Sequence, residues 1–472
     1  MAAVGQVQRC WPPQVAVAAE DQNLHRHPSR RHVVRLVRIS TCVRPARGRH
    51  RHRHPSVANS PSVARQPWCA TITLVLGGCG HFLLIAASLA TAWRGTRTVE
   101  RVRRITPLVG AAGDEDGSVT IVVPARDEAP RIGACVDALR AQTVPDVRIV
   151  VLDDDSSDGT GQIAARRADD DPRVTVVRGE GPPPGWSGKV AAMQTGLDAD
   201  RVARDRSETA PPEWLLFVDA DTQLAPELLG RLRATAVRHD ADLVSAAGTP
   251  PPGGSAAWSL LMPTGIVFIG EHADPQGRAR RAFAIGQCLL VRRDRFAAVG
   301  GWAALRDRRT EDVLLATRVR DDGGRTRLVD AGGLVTTSGL DPFGAGWASF
   351  RKTLVAATER SVLVLAGGGL AHAAMSLAGP VAVVCGLRVR RVARAPGRSG
   401  RGRSARAIGL VAAGLLGWGG AAVAHHRAAR LMRTRTAFAP LAPLIWALFG
   451  AVLLDGARVV LRGAAGWKGR DQ

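Results

Sequence analysis

Tyrosine is absent from this 472-residue chain, aromatics make up only 4% of it, and lysine occurs at Lys189, Lys352 and Lys468 alone. Without aromatic side chains in number there is no stacking platform for single-stranded nucleic acid. The net charge of +23 is therefore almost entirely arginine, and it reads as affinity for an anionic membrane surface, with no nucleic-acid partner expected. The seven cysteines are scattered and form no C-x-x-C pair, which argues against both a disulfide framework and a zinc site. Residues 1–67 lack the short apolar stretch of a secretory signal. They are rich in Arg, His, Pro and Ser, hold six of the twelve histidines, and read as a disordered basic tail.

What the chain does have is apolar length. Residues 70–93 carry no charge and are long enough to cross a bilayer. Arg94, Arg97, Arg101, Arg103 and Arg104 follow at once, which places the downstream side in the cytoplasm. A C-terminal membrane region is expected over 362–461, with two or three hydrophobic segments at 362–387, 408–424 and 437–460, and a tail at 462–472. Gly367-Gly368-Gly369 and Pro380 permit a broken or re-entrant first segment. That shape would also reconcile the positive-inside trend with basic loops at both 388–406 and 427–435. The apolar stretch at 258–269 contains Pro263 and is too short to span, so it reads as buried or interfacial.

Between these lies a domain expected over 119–345. Apolar strands at 119–124, 147–152, 174–177 and 214–218 alternate with helices, the pattern of an α/β fold with a mostly parallel, Rossmann-like sheet. Such sheets bind ligands at the carboxyl ends of their strands. Asp127-Glu128 follows the first strand, Asp153-Asp154 the second, and Asp219-Ala220-Asp221 the fourth. Two carboxylates one residue apart can hold a hard divalent cation that also grips a diphosphate. Lys189, in the loop Gly185-Trp-Ser-Gly-Lys before a helix, suits a phosphate. Asp312 opens another helix behind a capping Thr310, where a carboxylate can stay ionised and deprotonate a hydroxyl. Each element alone could be a cap or a solvated turn; together they outline a nucleotide-diphosphate site with a metal and a separate base.

The runs VTIVVPARDE, VLDDDSSDGT, GWSGKVAAMQTG, LLFVDADT, GQCLLVRRDRFAAVGGW and TEDVLLATRV resemble an inverting family 2 glycosyltransferase with a GT-A fold. The resemblance implies a nucleotide-diphosphate sugar bound by Asp127, Glu128, Asp153, Asp154, Lys189 and Asp219. It further implies Mn²⁺ or Mg²⁺ on Asp219 and Asp221, and Asp312, with Glu311 beside it, as the catalytic pair. Gly185-Trp-Ser-Gly-Lys189 with flanking membrane segments is similar to the hopanoid-associated and carotenoid (diaponeurosporenoate-type) glycosyltransferases. That implies a multi-pass cell-membrane enzyme with a cytoplasmic catalytic domain and a lipid or isoprenoid acceptor. No Q-x-x-R-W run follows Thr310-Glu311-Asp312, which disfavours a polysaccharide synthase. A polysaccharide synthase or polyprenyl-phosphate sugar transferase, and a catalytically inactive membrane scaffold, are the competing readings. Trp302, after Gly300-Gly301, stands open between lining an acceptor groove and packing in the core.

Overall fold

Nothing in the uncharged run at 70–93 interrupts a helix, and in the computed structural model it lies within one continuous helix, α1 (Pro67–Arg103). The structure describes residues 67–463 except 111–116, 252–255, 273, 278–281, 309, 341 and 394–400. The expectations for 1–66 and for 464–472 fall outside the described residues. After α1 come β1 (Thr106–Pro107), β2 (Val119–Ala125), α2 (Ile132–Arg140), β3 (Val147–Asp154), α3 (Thr160–Ala168), β4 (Val174–Gly179), α4 (Gly188–Ser207) and β5 (Trp214–Val218). Next are β6 (Thr222–Leu224), α5 (Leu228–Arg238), β7 (Leu243–Ala246), α6 (Ala256–His272), β8 (Cys288–Arg292), α7 (Arg293–Ala298), α8 (Glu311–Asp321), β9 (Thr326–Asp330) and β10 (Val335–Thr337). The chain closes with α9 (Phe343–Ala357), α10 (Val362–Ala393), α11 (Arg401–Leu431) and α12 (Ala442–Leu461).

Eight strands form one sheet in the order β1-β9-β7-β8-β5-β2-β3-β4, parallel except for β8, which runs antiparallel to both β5 and β7. The mostly parallel, Rossmann-like α/β architecture expected from the strand pattern is thus present. Its central strands read as unbroken apolar runs because both faces are covered. Ile121, Val123, Ile149, Val151 and Leu216 pack into one core, while Val122, Leu215 and Phe217 pack into the core on the other face. Trp302 belongs to that second core: it is 1% exposed and meets Phe217 edge-on at 4.8 Å and Phe296 at 5.3 Å. It lines no groove. A buried polar knot pins α4 to the sheet, with Asp200 accepting from Thr120 Oγ1 (3.0 Å), Arg148 Nε (3.0 Å) and Arg204 Nε (2.9 Å).

Two expectations are corrected in the C-terminal half. Val362–Ala393 is a single helix through Gly367-Gly368-Gly369 and Pro380, so the first C-terminal segment is not broken. Thr310 occupies the N-cap position of α8 but makes no side-chain cap bond. Among the described residues, three helices are long and apolar enough to cross a membrane: Val362–Ala393, Gly402–Leu431 and Thr436–Leu461, the last including the 3₁₀ turn before α12. They touch through small residues. A Cβ on Gly379 would sit 3.0 Å from Gly414 O, and one on Gly369 would sit 2.8 Å from Gly450 O. Helix α1 joins the same bundle, its Thr91 Oγ1 donating to Met375 O at 2.9 Å and its Ala92 backing onto Gly420. Large apolar side chains, among them Phe82, Leu83, Leu363, Leu370, Ile408, Leu416 and Leu444, point out of the bundle into solvent. The stretch at 258–269 lies in α6, where Trp258 is 1% exposed and packs against Ala421 and Ala424 of α11, as a buried segment should.

Candidate active site

The chain leaves β2 for β3 and β4 on one side, then crosses to β5 on the other side of β2. That reversal opens a crevice at the carboxyl ends of β2 and β5, the place where open α/β sheets take ligands. Asp127 and Glu128 follow β2, and Asp219 and Asp221 follow β5. The first loop is held against the loop after β3. Asp127 adopts a left-handed backbone (φ 48°), which an Asp tolerates better than a branched residue. Its carboxylate accepts from Ser157 N at 2.9 Å, and its own N–H donates to Ser156 Oγ at 3.0 Å. Glu128 N–H donates to Thr160 Oγ1 at 2.8 Å, while its carboxylate pairs with Arg131 at 2.8 Å.

Asp153 and Asp154 end β3 almost wholly buried, at 6% and 3% exposed. Asp153 Oδ1 accepts from Ser156 N at 3.1 Å, and its other oxygen lies where a side chain on Gly161 would have to go. Arg126 Nη1 donates to Asp154 O at 2.8 Å and approaches its carboxylate at 3.7 Å. Asp127, Asp153 and Asp154 thus form one polar cluster at the carboxyl ends of β2 and β3, braced by hydrogen bonds from neighbouring backbone.

The second group converges on Lys189, in the first turn of α4. Its Nζ lies 2.8 Å from Asp219 Oδ1 and 2.9 Å from Glu311 Oε1. Burial works against that charge, but Asp219, Glu311 and Asp312 outweigh it and hold the ammonium well above its ordinary range. Asp312 sits beside this clamp, its Oδ2 accepting from Gly286 N at 2.8 Å and its Oδ1 from Val313 N at 2.8 Å. Burial, reinforced by the neighbouring Glu311, pushes its carboxyl up to about 6 despite Lys189 and the two N–H donors. Such a carboxylate is still mostly ionised at neutral pH and is a stronger base than an ordinary one.

Asp221 lies against Gly339, where a Cβ would collide with Oδ2. Its carboxyl is likewise raised to about 6, by burial first and then by the charges of Asp219 and Glu128. Among the described residues no three His, Cys, Asp or Glu side chains gather as a ready-made metal site. Asp219 and Asp221 are two oxygen donors without a third. That fits a hard cation completed by substrate phosphates and water, the usual arrangement for Mg²⁺, and does not fit a self-sufficient protein cage.

Three contributors went unrecognised in the sequence. Gly286 supplies the N–H that holds Asp312, and a Cβ there would stand 3.0 Å from Lys189 Nζ. Gln287 accepts from Asp219 N through its backbone oxygen (3.2 Å) and from Gly248 N through its side chain (2.8 Å). Gly339 leaves room for Asp221. The one available signal was Gly286-Gln287 standing directly before an apolar strand.

Residues 120–300 match the sequence family described as Glycosyl transferase family 2. An uncharacterised glycosyltransferase, EpsJ of Bacillus subtilis, is 29% identical over 126 residues, which are 27% of this chain and 32% of that protein. The succinoglycan biosynthesis protein ExoA of Rhizobium meliloti is 27% identical over 227 residues, 46% of this chain and 62% of that protein. The chain therefore spans less than two thirds of the length of either relative. Among solved structures, the mannosyltransferase PcManGT of Pyrobaculum calidifontis, in complex with GDP-Man and Mn²⁺, aligns over 82% of this chain and 97% of its own, with 19% identity and a TM-score of 0.44.

Proposed function

From the premise that residues 120–300 are a family 2 glycosyltransferase domain, we propose that the protein transfers a sugar from a nucleotide-diphosphate donor to a lipid or isoprenoid acceptor, with inversion at the anomeric carbon. The observation that carries this reading is the convergence of Lys189, Asp219, Glu311 and Asp312 beside the crevice between β2 and β5. Asp127, Asp153 and Asp154 would line the nucleoside end, with Glu128, whose charge acts on Asp221, beside them. Asp219 and Asp221 would hold Mn²⁺ or Mg²⁺, and the bound cation supplies charge neutralisation for the diphosphate. Lys189 adds an ammonium at the same place, stabilising charge that develops on the leaving group. Asp312 takes the proton from the attacking hydroxyl. Glu311, committed to Lys189, positions that ammonium and leaves Asp312 as the base.

The membrane reading rests on the apolar belt. Helices α10, α11 and α12 bear outward-facing Leu, Ile and Val side chains that water would disfavour and lipid would not. Helix α1, bound to α10 and α11 through Thr91, Ala92 and Gly95, is the fourth member of a multi-pass anchor. The arginines ending α1 support a catalytic domain on the cytoplasmic face of the cell membrane. A test is donor turnover by purified protein with a panel of nucleotide sugars. The reading predicts metal-dependent consumption that falls ~10²–10⁴-fold in Asp312→Asn. Full activity in that variant would instead indicate an acceptor that is already anionic, such as a polyprenyl phosphate. No nucleotide binding by folded protein would favour an inactive scaffold.

A further inference from the structure

We propose that the cytoplasmic end of α1 holds a lipid headgroup, a phosphodiester carrying a hydrogen-bond donor, in a cavity separate from the sugar-transfer crevice. The cavity, of about 570 Å³, is lined by Thr96, Arg97, Glu100, Arg101 and Arg104 of α1 and by Asp274 beyond α6. Arg97, Arg101 and Arg104 are spaced i, i+4, i+7, so they share one face of the helix. Arg103 falls on the opposite side and does not line the cavity. The arrangement is a site built on one helix face, beyond a general excess of positive charge.

Depth and chemistry agree on the occupant. The uncharged run ends at Trp93, and a helix rises about 1.5 Å per residue, so Arg97 lies about 6 Å past the hydrocarbon edge. A headgroup layer is roughly 5–7 Å thick on each side of the bilayer. Arg97 therefore sits at the level of lipid phosphates, with Arg101 and Arg104 beyond it where a larger headgroup reaches. Arg97 Cζ lies over the Trp93 ring, 4.8 Å from its centroid, a cation–π contact that holds the side chain at this level. Glu100 pairs with Arg104 at 3.0 Å and Asp274 Oδ1 accepts from Gln276 N at 3.0 Å, so the same space holds carboxylates beside its arginines, which suits a headgroup presenting an amine or hydroxyl beside its phosphate better than a bare phosphate dianion. Asp274 pairs with Ala282 in an isolated bridge, and the segment from Ala282 leads directly to Gly286, whose N–H holds Asp312. A lipid bound here lies at the root of the segment that positions the base.

The proposal rests on α1 crossing the bilayer, and its test is chosen to fail separately from the catalytic reading. Full-length protein in detergent would be titrated with short-chain phosphatidylglycerol and bound lipid counted by native mass spectrometry. One saturable site is expected, weakened at least tenfold in Arg97→Gln/Arg101→Gln and unchanged in Arg103→Gln. The Arg97→Lys/Arg101→Lys protein keeps the charge and is expected to bind more weakly than wild type for want of the bidentate fork, which covers the case where the glutamine protein fails to fold. Metal-dependent donor turnover should persist in these variants. The proposal is overturned if Arg103→Gln weakens binding as much as the double variant, if phosphatidylcholine binds equally, or if inorganic phosphate displaces the lipid.

Discussion

Asp312 holds two roles in tension. Its carboxyl is raised to about 6 by burial and by Glu311, so between the ordinary carboxylate value near 4 and about 6 the folded protein keeps a proton that the unfolded chain has lost. Stability therefore falls as pH rises through that window, while basicity is gained. Two results follow for one residue. Turnover should fall as pH drops through about 6, and Asp312→Asn should melt no lower than wild type at pH 7.5, with the difference closing near pH 5. Lys189 is the opposite case, a cation whose removal exposes Asp219 and Glu311 to each other. Lys189→Met should weaken nucleoside-diphosphate binding by roughly 10–100-fold, read by calorimetry, because charged hydrogen bonds contribute about 1.5–3 kcal/mol. The carboxylates and Lys189 were legible as residue types at strand and helix ends. The partners that tune them were not, because Gly286 and Gln287 act through backbone N–H and C=O groups, which every residue carries.

At the level of elements, the strands were readable because β2, β3 and β5 are covered on both faces and so carry apolar runs, mostly Val, Ile and Leu. The antiparallel insertion of β8 between β5 and β7 was not readable, since strand direction is set by how the chain returns and leaves no periodic mark. Trp302 illustrates the same limit. Its Gly-Gly-Trp setting looks like a surface loop, yet the ring is clasped by Phe217 and Phe296 from other elements. What fixes α4, and Lys189 at its start, against the sheet is the Asp200 knot with Thr120, Arg148 and Arg204. Asp200→Ala leaves a buried arginine without its partner and should cost about 3–5 kcal/mol, measured by chemical denaturation of detergent-solubilised protein. Loss of less than about 1 kcal/mol would remove the knot from the account of how Lys189 is placed.

Over the whole molecule, the domain and the helical bundle are stitched by small residues and a few polar contacts. Trp347 Nε1 and Arg351 Nη1 of α9 both donate to Asp455 of α12, at 2.9 and 2.8 Å. Helix α1 lies so close to α11 that a Cβ on Gly420 would come within 2.8 Å of Ala92 Cα, whereas Gly419 faces open space. Gly420→Leu should therefore lower the thermal midpoint in detergent, and Gly419→Leu should not, which separates helix packing from loss of a glycine. The apolar segments were plain in the sequence, but the continuity of α10 through Pro380 was not, because the neighbouring helices α11 and α12 support it along its length.

The claim on which all scales depend is sugar transfer to a lipid with Asp312 as base. Its most direct test is mass spectrometry of lipid extracts from membranes holding wild-type or Asp312→Asn protein and supplied with nucleotide sugars and Mn²⁺. The account predicts a lipid carrying the added mass of one sugar in the wild-type membranes and its near absence in the variant. Equal amounts of the glycolipid in both, or donor consumed by the wild type with no lipid modified, would contradict it.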